Sequence, residues 1–280
     1  MQRKLYDLLW MGKKLPNRTK VLLAKLQKRW CGIGRLGEEK YSKYNTLARI
    51  VEYNSSSDIV VEFQDEYKFK LHTTYKNWEN NQFKNPYDKC IYGIACIGNA
   101  KGSKNGIIKK SYKVWYSMLN RCYSEKLHKK EESYIGCSVC EEWLCYEIFE
   151  KWYEENFYQI ENEVMMLDKD ILSKNNKVYC PEKCIFVPQC INNLFVKSNK
   201  ARGDLPIGVS YNRSRNNYLA QCCRSNGNRV KHYFKDVKDA FCFYKQQKEE
   251  YIKEIADLYK DKIPLQLYKA MYQYEVEISD

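Results

Sequence analysis

The sequence predicts an α+β protein built from several small modules: a small β module, a central mixed module, and a C-terminal three-stranded antiparallel sheet packed on a long helix. Three observations carry this prediction. Strand-like runs and helical apolar stripes occur in separate stretches instead of alternating as βαβ units. Breaks rich in Gly, Asn, Ser and Pro divide them. The last 75 or so residues read, by turn and strand grammar, as strand, strand, strand, helix.

Taken in order, residues 1–33 read as a basic helical region, with Leu5, Leu8 and Leu9, then Val21, Leu22, Leu23 and Leu26 near helical spacing. Residues 34–97 form the small β module, because Ala48 to Tyr53 and Ile59 to Phe63 alternate in polarity around the turn-forming Asn54 to Asp58. The run from Gly98 to Gly106 reads as a linker. The central module, 107–200, contains helices over 111–122 and 141–156, whose aromatic stripes are core-forming. It also contains extended pieces at Val164 to Leu167 and Cys184 to Val187, and a helix carrying Asn192 and Asn193. The C-terminal module, 204–280, has strands around the turn Asn212 to Asn217 and the hairpin Ser225-Asn226-Gly227-Asn228, then a helix from Asp236 to about Lys262, ended by Pro264.

Composition narrows the function. The 41 aromatic residues (25 Tyr, 10 Phe and 6 Trp) exclude a chain that never folds. No run approaches the roughly 20 apolar residues of a membrane span, so no membrane partner is expected. The 13 cysteines are an odd number, which argues against a paired disulfide scaffold and for reduced thiols in a cytoplasmic setting. The net charge of +13 is concentrated: residues 1–49 hold 13 Lys/Arg against 3 Asp/Glu, and residues 197–231 hold 8 against 1. Two basic stretches flanking near-neutral sequence are the footprint of a nucleic-acid binder that releases phosphate counterions.

The C-terminal strands supply candidate contacts to double-stranded DNA: Arg213, Arg215, Tyr218, Gln221, Arg224, Arg229 and Lys231. Arg pairs with guanine and Gln with adenine in the major groove, and the remaining basic groups hold phosphate. The opposite face is expected to meet the helix through Val209, Leu219, Val230 and Phe234. Gly208-Val209-Ser210, Tyr218-Leu219-Ala220, Phe234 and Val237 to Tyr244 resemble the Apetala-two-type integrase-like DNA-binding domain of phage and mobile-element proteins. That resemblance covers about 60 residues and implies a sheet that reads duplex DNA.

The central module resembles the HNH (ββα-metal) endonucleases common in phages and mobile introns. The resemblance rests on Trp115 to Tyr123, Val139 to Trp143, Leu167-Asp168-Lys169-Asp170 and Tyr179 to Pro188. It implies a catalytic segment at Asp168, Lys169, Asp170 and Asn176. Asp168 with Asn192 or Asn193 would hold Mg²⁺ or another divalent metal that assists phosphodiester hydrolysis. The departure is Lys169, which stands where the family carries a histidine base, since a free lysine amine is protonated at neutral pH and accepts no proton. Catalysis is therefore expected to be impaired, with Lys169 serving as a phosphate contact or a structural ion-pair partner. Cys137-x2-Cys140 and Cys180-x3-Cys184 have spacing compatible with a Zn²⁺ site, although Cys145, Cys190, Cys222 and Cys223 show that cysteine is also used here as a small apolar residue. The alternative to a phage or mobile-element DNA-binding protein is a non-catalytic phage protein that binds and inhibits a host defence protein such as a nuclease. A tyrosine-rich surface in the host cytoplasm would suit that role.

Overall fold

A computed structural model describes residues 34–196, 203–224 and 227–280. The basic region expected over 1–33, and Ser225 and Asn226 of the hairpin turn, lie outside the described residues. Helices and small, mostly antiparallel sheets give an α+β fold of several modules. Two compact units divide after Ala100. Among the described residues no helix is long and apolar enough to cross a membrane.

The first unit is a four-stranded antiparallel sheet in sequence order: β1 (Glu39–Tyr41), β2 (Leu47–Ser55), β3 (Asp58–Phe63) and β4 (Lys70–Thr73). The alternation in β2 puts Ala48 and Ile50 on the covered face with Ile59, Val61 and Phe63. Helix α1 (Tyr75–Glu79), capped by Thr74, closes that face with Trp78, whose ring stacks on Phe83 at 4.9 Å.

The second unit starts with a hairpin, β5 (Ser103–Lys104) and β6 (Ile107–Ile108). Next come helix α2 (Lys110–Tyr123), the short α3 (Glu125–His128), β7 (Ser138–Val139) and helix α4 (Tyr146–Asn156). Trp115 joins α2 to α4, with its ring 5.3 Å from Tyr146 and its Nε1 donating to the Trp143 carbonyl at 2.7 Å. Strand β8 (Met165–Asp168) pairs antiparallel with β10 (Ile185–Pro188), and between them β9 (Val178–Tyr179) pairs in parallel with β7. Helix α5 (Gln189–Asn192) follows β10 directly.

The last sheet is β11 (Val209–Asn212), β12 (Asn217–Cys223) and β13 (Arg229–Phe234), covered by α6 (Val237–Tyr259). Asp236 caps α6, accepting from the N–H groups of Lys238 and Asp239. After the stop at Pro264 the chain resumes as α7 (Leu265–Tyr272), an element the sequence reading lacked. The segments 107–200 and 204–280, separate in that reading, share one core. Ile171, Ile185, Val187 and Ile191 pack with Ile252, Ala256, Ile263, Leu267 and Met271.

Candidate nucleic-acid interface and the Asp168 segment

Strand geometry fixes which side chains of the last sheet face outward. Val209, Ala220 and Cys222 are buried against Ala240, Phe241 and Tyr244 of α6, and Tyr218 and Phe234 pack at the edge of this cluster. Because side chains alternate along a strand, Leu219, Gln221 and Cys223 occupy the opposite face. The register extends that face to Ser210 beside Leu219, Tyr233 beside Leu219, Lys231 beside Gln221, and Arg229 beside Cys223. Arg215, from the turn between β11 and β12, lays its guanidinium 4.9 Å from the Tyr233 ring centre. Arg213 is exposed in the same turn.

Three parts of the sequence reading change here. Tyr218 faces the helix and not the groove, and Leu219, expected in the core, faces out. The small residues Ala220 and Cys222 hold the core positions because α6 lies close to the sheet. At Gly208, φ is +74° and an added Cβ would come within 2.0 Å of the Tyr244 ring. Arg224 turns to α6, with Nη1 donating to both Glu254 oxygens at 3.0 Å and Nη2 to Gln247 at 3.4 Å. It is therefore a tie between sheet and helix. Tyr233 was missed in the sequence, although counting by twos from Ala220 across the hairpin finds it.

The segment around Asp168 folds as a strand pair followed by a helix, with Asp168 at the end of β8 opposite Ile185. Its Oδ1 accepts the backbone N–H groups of Asp170 at 2.8 Å and Ile171 at 2.7 Å, shaping the turn out of the strand. Burial raises its carboxyl above the ordinary value, and these two donors oppose that shift. Lys169 is buried, with 8% of its side chain exposed. Its Nζ donates to Asp170 at 2.7 and 2.8 Å and to the Asn176 carbonyl at 2.8 Å. Of the two roles expected for Lys169, this geometry is that of an ion-pair partner and not of a phosphate contact.

Asn176, expected in the catalytic segment, is used up in the loop. Its Nδ2 donates to the carbonyls of Lys169 at 3.0 Å and Val178 at 2.6 Å, and its Oδ1 accepts from Val178 N–H at 3.1 Å. Asn192 is half-buried and Asn193 exposed. The His128 ring, another imidazole near this module, is held 2.8 Å from the Arg121 carbonyl.

Within this segment the groups expected to serve a divalent centre and a general base are engaged as follows. Asp168 spends one oxygen on backbone donors, Asp170 is tied to Lys169, and among the described residues no group of three or more His, Cys, Asp or Glu side chains could hold a metal. The four cysteines expected to share zinc have the following neighbours. Cys137 and Cys140 flank the two-residue strand β7, so they leave it on opposite faces. Cys137 lies near Cys122, whose thiol is pushed up to about 12 by burial and then by that neighbour. Cys140 lies instead near Cys180 and Cys184, and burial raises all three of these thiols.

No family model matches the chain, and comparison with curated proteins and with solved structures gave no significant match.

Proposed function

We propose that the protein binds double-stranded DNA through the outward face of β11, β12 and β13, and that the nuclease-like module serves as its scaffold without hydrolysing the backbone. The observation that carries this reading is the division of the sheet. One face is closed by α6, and the other presents Gln221, Arg229, Lys231 and the Arg215 and Tyr233 pair to solvent. Gln and Arg are the side chains that read base edges, and Lys holds phosphate as a point charge. The buried Lys169 supports the non-hydrolytic half of the proposal, since an ammonium held by a carboxylate and a carbonyl has no lone pair for a water proton.

The test is binding of the full chain to a labelled mixed-sequence duplex of about 30 base pairs across a salt titration. The affinity should fall steeply with salt, and Arg229→Ala with Lys231→Ala should reduce the log–log slope by about 2. Arg224→Ala, which faces the helix, should leave the slope unchanged. Added Mg²⁺ or Mn²⁺ should give no cleavage beyond that of Asp168→Ala. A salt-insensitive affinity, or cleavage abolished by Asp168→Ala, would overturn the proposal.

A further inference from the structure

We infer that the β5–β6 hairpin is a wedge that inserts Ile107 and Ile108 into the minor groove of bound duplex DNA and locally unwinds it; this rests on the DNA-binding reading above. The hairpin has a fixed base and an unpartnered tip. At the base, Lys109 N–H donates to the Gly102 carbonyl at 3.0 Å, and Lys109 Nζ reaches Glu150 on α4 at 2.8 Å. Glu150 is itself held by the Tyr146 hydroxyl at 2.6 Å. Gly102 packs so tightly that an added Cβ would stand 2.7 Å from the Tyr112 ring. At the tip, Asn105 and Gly106 have φ of +52° and +76°, the conformation of a two-residue primed hairpin turn.

What this rigid base holds out is apolar. Ile107 is 73% exposed and Ile108 51% exposed. Because they are consecutive in a strand, they lie on opposite faces of the ribbon. A ribbon with one apolar face would suit a flat protein surface. Here each face carries one isoleucine, Ile107 beside Lys104 and Ile108 beside Ser103, so the tip offers an apolar side chain to each of two planes with polar groups at its flank; adjacent base pairs forced apart, bordered by phosphate, are such a slot.

The surrounding charge complements phosphate. Residues 101–124 hold six Lys/Arg and no Asp or Glu. Lys109 and Lys110 stand at the N-terminus of α2, whose first turn contains no acid and whose cap residue, Lys109, makes no capping bond with its side chain, which is paired with Glu150. A cation at the positive end of a helix dipole opposes helix stability; Glu150 offsets this for Lys109, while Lys110 is left to meet an anion outside the fold. Minor-groove proteins combine these two features, basic contacts to the backbone and aliphatic side chains between base steps.

A topological assay tests this without knowledge of the target sequence. Closed circular plasmid is relaxed by topoisomerase I in the presence of the full chain, the protein is removed, and the topoisomers are resolved. The wild type should shift the linking number, because inserted side chains untwist the steps they open. Ile107→Ser with Ile108→Ser should abolish most of the shift while plasmid affinity stays within about threefold, since lost contact is offset by unstacking no longer required. An unchanged thermal midpoint is expected, as both side chains are exposed. Lys104→Ala with Lys110→Ala should instead weaken binding and lower its salt dependence. An equal shift from the serine variant would overturn the wedge while leaving DNA binding standing. Failure of the wild type to bind plasmid would overturn the DNA-binding reading itself. Serine-sensitive binding to anionic phosphatidylserine vesicles, with no change in linking number, would assign the hairpin to a lipid surface and overturn the wedge.

Discussion

If Lys169 is a structural pin, replacing it must cost stability and leave DNA uncleaved, as in the wild type. Lys169→Met keeps most of the buried stem and removes the ammonium. The Asn176 carbonyl then loses a donor in a buried setting, which costs about 1–3 kcal/mol. The ion pair to Asp170 adds only about 0–1 kcal/mol, because the Asp170 side chain is 49% exposed and water replaces its partner. Together these give a loss of about 1–4 kcal/mol, centred near about 2.5. For a unit of this size each kcal/mol moves the midpoint by about 2–4 °C, so thermal unfolding followed by circular dichroism at pH 7 should show a drop of about 5–10 °C. Asp170→Asn, which keeps an acceptor near Nζ, should cost less than half as much. Lys169→His supplies the imidazole that the resemblance implies, but it should remain unable to nick plasmid with Mg²⁺, because Asp168 Oδ1 is held by the Asp170 and Ile171 N–H groups. A midpoint unchanged in Lys169→Met, or Mg²⁺-dependent cleavage in the wild type that this variant loses, would refute the reasoning.

Other substitutions probe the neighbouring groups. Asp168 carries a carboxyl raised by burial, so ionising it costs stability once the pH rises past the unfolded value near 4. Asp168→Asn retains an oxygen for the two N–H donors and should be at least as stable as wild type at pH 7. That advantage should vanish in unfolding curves taken below the unfolded carboxylate's range. Gly208→Ala must place a methyl group into the Tyr244 ring at a positive φ, and denaturant unfolding should show a loss of about 2–4 kcal/mol. Limited alkylation followed by mass spectrometry should label the exposed Cys90, Cys190, Cys223 and Cys242 well before Cys122 and Cys184, whose thiols burial keeps protonated.

Much of the fold was legible because periodicity reports it directly. Helices expected over 111–122 and 141–156 appear as Lys110–Tyr123 and Tyr146–Asn156, the second preceded by a 3₁₀ turn at Glu142–Leu144. Asp236 caps the last long helix, as its position before Val237 predicts. The hairpin at 103–108 was hidden in what reads as a linker, although Asn105-Gly106 is a strong primed-turn signal. The flanking strands are only two residues each, too short for alternation to register. Helix α7 was hidden for a similar reason, since Pro264 reads as a stop and here also opens the next helix.

The errors at the site have a common physical cause. Hydrophobicity ranks Leu219 above Ala220 for a core position, but the available space decides, and α6 approaches too closely for leucine. Charge ranks Arg224 as a DNA contact, but its guanidinium finds Glu254, Gln247 and the Tyr251 ring, at 5.5 Å, on the covering helix. Lys169 is likewise absorbed by groups that folding brings beside it. The loop after Asp168 is held further by Lys174, which pairs with Glu277 at 3.1 Å and Asp280 at 2.9 Å and donates to the Glu275 carbonyl at 3.0 Å. The loop is thus clamped at Lys169, Lys174 and Asn176, above a core shared with α6 and α7. The same core joins the β8–β10 strand pair to α6, the helix that backs the β11–β13 sheet. The sheet and the β5–β6 hairpin belong to one compact unit, so the proposed DNA-binding face and the proposed wedge are tested together in the same chain segment.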